Sequence, residues 1–299
     1  MNTAPRNQLL YEYFKQKLTA SSKHVYSPSD LASLISELRA DFGFPQSISV
    51  AKFQRSLIEN GIVQEILITA TYPFESKRYH LGPFSPYELA LSLRSGSYLS
   101  HGTAAYLHKL TDQTHQTIYL NKEQSPKDST TSLTQAGINR AFMSRQRESG
   151  YIVMHDRTKI TLLNGKHSDR LGVIQSTGPG GEQIELTNLE RTLIDIAVRP
   201  AYAGGPKAVL EAYRRAHSKT SVPRLAKMLA ELEYVYPYHQ AIGFYLQTAG
   251  HSLAVLKPLL RMRRRFDFFL AHAIKHTRFD PYWRIHFPDN LSDSVGVSG

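Results

Sequence analysis

The densest group of cations in the chain is Arg261-Met-Arg-Arg-Arg265, with Phe266, Phe268, Phe269, Tyr282 and Trp283 close by. Guanidinium groups at this density can neutralise phosphates, each contact adding a salt-dependent increment to affinity. They can equally dock an acidic protein surface, since arginine beside aromatics is common at interfaces. The alternating phenylalanines are also the pattern of a buried strand face. A second charged set is Glu190, Arg191, Asp195 and Arg199. Arg191 and Asp195 have the i, i+4 spacing that lets them pair on one face of a helix. This set reads either as a working surface or as a salt-bridge network that holds a helix to its neighbours.

Other combinations lack the context their chemistry needs. There is no G-x-x-x-x-G-K-[ST] and no G-x-G-x-x-G. Gly178-Pro-Gly-Gly181 lies between strand-like runs, and Gly204-Gly205 precedes a helix whose amides could bind an anion but equally mark a plain helix start. His101, His108 and His115 are spaced by seven, but Thr111-Asp112 interrupts them, and no cysteine is present to complete a zinc site. His167-Ser-Asp169 has no orienting partner, and a triad is a geometry rather than a spacing. His155, Asp156 and Arg157 would serve an enzyme only if the fold brought them to Asp195. No catalytic residue, metal or cofactor is expected.

The chain has 299 residues, 41% of them hydrophobic, which suits two domains with packed cores. The absence of cysteine excludes disulfides. No apolar run approaches the roughly 20 residues of a membrane span, and Met1 to Leu10 lacks the pattern of a signal peptide, so a cytoplasmic protein without membrane contact is expected. The formal net charge is +11 with a pI near 9.7, which favours a nucleic-acid partner. Residues 1–83 are nearly balanced, with 9 Lys/Arg against 7 Asp/Glu, whereas residues 251–299 carry 8 against 4.

These charges must be positioned by elements. Residues 1–83 read as a winged helix-turn-helix. Helix one covers Gln8–Leu18, helix two starts at Ser27-Pro-Ser-Asp30 with proline at the first helical position, and helix three runs from Val50 to Asn60. Val50, Phe53 and Leu57 form its inner face, and Ala51, Lys52, Arg55 and Glu59 its outer one. Strands Ile62–Tyr72 and Lys77–Leu81 follow, joined by the wing Pro73-Phe-Glu-Ser76. In this plan Lys52, Gln54 and Arg55 reach the groove of duplex DNA, Ser47 and Ser49 sit near phosphates, and Lys77 and Arg78 serve the wing.

Residues 84–289 read as a larger mixed domain and 290–299 as a disordered tail, which makes the chain α+β. Ser85-Pro-Tyr-Glu88 has the spacing of a capping box. Strands are expected at Gln116–Leu120, Tyr151–His155, Lys159–Leu163, Leu171–Ser176 and Gln183–Leu186, with turns at Asn164-Gly165 and 178–181. Leu133–Arg147 reads as a helix, and further helices are expected at 188–198, 205–217, 221–233, 238–249 and 252–260, followed by closing strands in Arg261–Ile274 and Trp283–Phe287. Thr187 and Glu190 predict a capping box for the helix that carries Arg191.

The string Thr187-Asn-Leu-Glu-Arg-Thr-Leu-Ile-Asp-Ile-Ala-Val-Arg-Pro-Ala-Tyr-Ala-Gly-Gly205 resembles the central signature of the AbiE-type (abortive-infection) antitoxin family of type IV toxin–antitoxin systems. Tyr236-Pro-Tyr-His-Gln-Ala-Ile-Gly-Phe-Tyr-Leu246 resembles the family's second landmark, and Tyr98–His108 resembles a stretch that follows its winged helix. The chain departs from a minimal member at residues 122–150 and in its basic tail. The resemblance implies a winged helix that binds inverted repeats in its own promoter and represses the operon. It implies a second domain that counteracts a nucleotidyltransferase-like toxin without a stable complex. Arg191, Asp195, Arg199, Arg261, Arg263, Arg264 and Arg265 are then candidates for the antitoxin surface. A regulator without a toxin partner, or an enzyme whose second domain modifies the toxin, are the alternatives.

Overall fold

The computed structural model describes residues 12, 14–17, 19, 23–42, 49–73, 77–112, 117–126 and 132–294. The chain is α+β. Of the first expected helix, residues 12 and 14–17 are helical and Phe14 is buried. Helix α1 (Pro28–Phe42) begins with Asp30, whose carboxylate accepts from the Ser27 amide at 2.7 Å. Helix α2 (Val50–Glu59) is capped by Ser49, whose side chain accepts from the Lys52 amide at 3.3 Å. Leu31, Ile35, Phe53 and Leu57 join Phe14, Tyr26 and Tyr79 in one core. Against it lies a three-stranded antiparallel sheet in the order β1 (Val25–Tyr26), β4 (Arg78–His80), β2 (Gln64–Ile66).

The long strand expected over Ile62–Tyr72 divides. Its first half is β2; its second half, β3 (Thr69–Ala70), leaves the small sheet and pairs with Met154 and Val153 of a different one. That larger sheet has seven strands in the order β3, β7 (Ile152–His155), β8 (Thr158–Gly165), β6 (Thr117–Glu123), β5 (Tyr98–Leu99), β10 (Gln183–Thr187), β9 (Val173–Thr177). The β6–β8 and β5–β10 pairs are parallel and the others antiparallel. A boundary at residue 83 is therefore corrected: residues before it form an edge of the second sheet. Further ties cross the same line. The buried Arg78 donates to the carbonyls of Ser92 and Leu93 at 3.1 and 3.0 Å, and His24 Nδ1 meets Glu88 Oε1 at 2.7 Å.

Because side chains alternate along strands, the large sheet has two different faces. Leu99, Ile118, Leu120, Ile160, Leu162, Ile184 and Leu186 pack with helix α3 (Pro86–Ser92), which carries the expected Ser85/Glu88 capping box. The alternate residues Tyr98, Tyr119, Asn121, Thr161 and Thr187 form a polar face beneath a helical layer. That layer holds α4 (His101–Leu107), α5 (Gln135–Met143), α6 (Leu189–Val198), α7 (Pro206–Ala216), α8 (Val222–Glu231), α9 (Tyr238–Thr248) and the short α10 (Lys257–Leu260). The tight hairpin turn lies at Asp156-Arg157, between His155 and Thr158, and not at Asn164-Gly165, which continues β8 alongside β6.

The chain closes with a three-stranded sheet in the order β11 (Phe268–Phe269), β13 (Ile285–Pro288), β12 (Thr277–Asp280). The expected strand in Arg261–Ile274 shrinks to two residues, and β12 was not anticipated. The expectation of a disordered tail over 290–299 is corrected for residues 290–294, and residues 295–299 lie outside the described residues. Asp289–Ser294 forms a 3-10 helix, and Leu291 is buried in the main core.

Candidate functional site

The exposed face of α2 is the first candidate surface. Phe53 and Leu57 turn inward, which leaves Ala51, Lys52, Arg55 and Glu59 exposed, with Ser49 exposed at the helix start. Gln54 does not join them as expected. Its side-chain amide donates to the Pro28 carbonyl at 3.0 Å and so ties α2 to α1. Lys77 is exposed and lies 3.8 Å from Glu65 on the neighbouring strand. Arg78 is the clear correction. The strand turns it inward, where it is 5% exposed and bound to two carbonyls of the α3 terminus, so it cannot reach DNA. Ser47 and wing residues 74–76 lie outside the described residues.

Helix α6 carries the second candidate set, and its geometry reassigns most of it. The N-cap is Asn188, whose side chain accepts from the Arg191 amide at 2.9 Å; Thr187 ends β10 and its hydroxyl lies 2.8 Å from that of Thr192. Glu190 is thereby released from capping and accepts from Arg224 at 2.9 Å and from the Ser221 amide at 3.2 Å, at the start of α8. Arg191 Nε donates to Asp195 Oδ1 at 2.9 Å, with side chains only 3% and 6% exposed.

That pair continues inward rather than outward. Arg191 Nη1 donates to Ser168 Oγ and to the Leu171 carbonyl. Ser168 donates to Glu123 at 2.5 Å, Tyr98 donates to Glu123 at 3.1 Å, and Asn121 donates to Tyr98 at 2.7 Å. The chain of contacts thus runs from α6 across the polar sheet face. Hydrogen bonds from Ser168, from the Arg170 amide and from Tyr98 outweigh burial and hold the Glu123 carboxyl below its ordinary range. Three buried oxygens on this face, Asp195 Oδ2, Asn121 Oδ1 and Thr161 Oγ1, find no partner among the described residues. Arg191 and Asp195 are therefore corrected from surface to interior. Arg199 is half-buried over Tyr202 and donates to the Arg147 carbonyl at 3.0 Å.

The arginine run stays outside. Arg261, Arg263 and Arg265 are exposed. Arg264 is half-buried, donates to the Tyr282 carbonyl and stacks on Tyr282 at 5.2 Å and Trp283 at 5.7 Å.

The histidines that suggested a metal ladder do separate jobs. His101 opens α4 with φ of 51°, lies against Tyr119 and Tyr202, and shares a 2.8 Å contact between its Nδ1 and Ser100 Oγ. Burial pushes its imidazole down to about 4. His108 ends α4 and bonds the Thr187 carbonyl at 2.7 Å, and His115 lies outside the described residues. Among the described residues no group of three or more His, Cys, Asp or Glu is placed to hold a metal. His155 turns to the Leu67 carbonyl at 2.9 Å and to the Phe84 ring, whereas Asp195 pairs with Arg191.

No protein-family model matches the chain, and no curated protein matches it. Among solved structures the fold is similar to that of the RV2827C protein from Mycobacterium tuberculosis, with a TM-score of 0.54 and 16% identity over 92% of this chain and 89% of that one. At this identity the likeness concerns the fold alone. No helix among the described residues is long and apolar enough to cross a membrane.

Proposed function

We propose that this chain is a two-part repressor and antitoxin. Its first part acts as a winged helix that binds duplex DNA at inverted repeats of its own promoter. Its second part counteracts a nucleotidyltransferase-like toxin without forming a stable complex. The observation that carries the DNA half is α2: an amphipathic helix seated on a hydrophobic core that turns Lys52 and Arg55 to solvent, next to a small antiparallel sheet. A helix of this kind supplies base contacts through arginine and backbone contacts through lysine. The antitoxin half is supported by the resemblance of residues 187–205 and 236–246 to the AbiE-type signatures. Neither reading needs a catalytic residue, and α6 holds its charged pair inside the fold rather than in an open site.

Fluorescence anisotropy with the chain's own upstream duplex tests the DNA half. Arg55→Ala should cost ~1–3 kcal/mol on the specific sequence if it reads a base edge. Lys52→Ala should weaken all sequences alike and lower the salt slope by about 1. Unchanged affinity in both variants would remove α2 from the interface. Growth rescue against the adjacent gene, using the full-length Lys52→Ala/Arg55→Ala chain, tests the other half. Rescue without repression separates the two activities. Loss of rescue by the unsubstituted chain, with promoter binding intact, leaves a plain regulator.

A further inference from the structure

A sheet edge is a row of unpaired main-chain groups, and folded proteins guard such rows by shortness, charge or proline. The three sheets have six edge strands among the described residues. β1, β3 and β11 are each two residues long. β2 carries Glu65, and β12 carries Arg278 and Asp280. β9 has none of these protections. It is five residues long, reads Val-Ile-Gln-Ser-Thr, and leaves Ile174, Gln175 and Thr177 exposed.

The ladder with β10 fixes which groups of β9 are free. The Gly178 amide donates to the Glu182 carbonyl and the Asn188 amide to the Gly172 carbonyl, each at 2.7 Å. Main-chain groups alternate in direction along an antiparallel strand. Ile174 and Ser176 therefore bond to β10, whereas Gln175 and Thr177 turn their amides and carbonyls to the open edge. Val173 shares that direction, but its amide already donates to the Arg170 carbonyl at 2.9 Å. Pro179, the next residue of the same parity, has no amide to offer.

Charge decides what such an edge can meet. The chain carries a net +11, so two copies repel wherever their cations face each other. Residues 171–187 contain no Lys or Arg, and their acids are Glu182 and Glu185. Here two copies of a basic chain can approach without opposing cations.

We propose that β9 pairs antiparallel with β9 of a second copy of this chain, about a two-fold axis at Ser176. In this register Gln175 lies opposite the partner's Thr177, and the reverse, so every free main-chain group of both residues is used. Ser176 lies opposite the partner's Ser176, and the large sheet runs on through both copies. The ladder is short, so the dimer forms by mass action as concentration rises. A two-fold axis between the copies also relates their α2 helices, which is the symmetry of an inverted repeat. The pairing does not rest on the DNA reading, and its test needs no DNA.

Sedimentation of the full chain over roughly a hundredfold range of concentration should show one chain passing to two. Ser176→Lys and Ser176→Glu each set like charges directly opposite across the axis and should weaken association about tenfold or more. Mixing the two variants should restore it. Gln175→Pro removes an outward amide that β10 does not use and should also weaken it, with unchanged thermal unfolding midpoints checking that all three variants fold. The chain has no cysteine, so Ser176→Cys supplies a single thiol at the axis, where opposed Cα atoms about 4.5 Å apart permit a disulfide. It should oxidise to a covalent dimer faster than Leu67→Cys, at a residue that is 84% exposed on another part of the chain. A single chain at every concentration, unchanged association in Ser176→Lys, a Lys/Glu mixture that stays monomeric, or cross-linking at 176 no faster than at 67 would overturn the proposal.

Discussion

At the scale of single residues, Arg191 shows how one side chain can be legible and misassigned at once. The i, i+4 spacing with Asp195 correctly predicts the pairing. Spacing says nothing about which way the shared face points. The answer comes from Ser168 and Leu171, 23 and 20 positions away in sequence, which accept from the same guanidinium. Burial works against the charge on Arg191, but Asp195 beside it outweighs this and raises its pKa. Removing one partner of such a pair leaves an uncompensated buried charge, which costs about 3–5 kcal/mol. Arg191→Ala should therefore lower the unfolding free energy by that order in a urea titration. A loss below about 1 kcal/mol, the range of surface pairs, would mean that the pair is solvated. Arg78 carries the same lesson in the other direction. A lysine-arginine pair on a wing invites a phosphate, and only the α3 terminus explains why the second cation turns inward.

Among elements, helices with a cap and one apolar stripe were readable to within a few residues: α6, α7, α8 and α9 all stand where their periodicity put them. Strands were readable as extended runs but not as members of a sheet. Nothing in Ile62–Tyr72 announces that Ile66 belongs to one sheet and Thr69 to another, because alternation fixes faces and not partners. The closing sheet was hardest, since its strands are 2–4 residues long. Helix α9 offers a sharper test of packing between elements. Gly243 faces the buried Trp283, whose indole nitrogen donates to Gln247 one turn on at 2.5 Å. A methyl group at 243 would overlap the indole ring. Gly243→Ala should therefore destabilise the fold by ~1–3 kcal/mol through overpacking, although alanine favours helix by about 1 kcal/mol. Trp283 is the chain's single tryptophan, so its fluorescence reports the change directly. A stabilised variant with unshifted emission would contradict this packing.

For the molecule as a whole, the buried histidines set a pH dependence. Burial holds His101 and His239 down at about 4, against an ordinary value of 6.5. The unfolded chain therefore takes up protons near pH 6.5 that the folded chain refuses until about pH 4. Their contribution is fully present above pH 6.5 and is lost as pH falls toward 4, by about 1.4 kcal/mol per pH unit for each histidine. Urea midpoints should drop clearly between pH 7 and pH 5. The depressed carboxyls of Asp30 and Glu123 add their losses lower still. A flat profile from pH 7 to pH 5 would show that both rings are protonated without penalty.

The shared strand β3 has a consequence for how such a protein changes over evolutionary time. A DNA-reading head that ended in a free linker could be exchanged between relatives like a cassette, with operator preference passing from one chain to another. Here Thr69 and Ala70 are hydrogen-bonded into the sheet of the rear half, and Arg78 is locked to Ser92 and Leu93. Any transplanted head must bring a matching edge strand and a matching inward arginine, or leave β7 with a bare edge. On the DNA-binding reading proposed above, new operators should therefore arise by substitution on the exposed face of α2 rather than by recombination at residue 83.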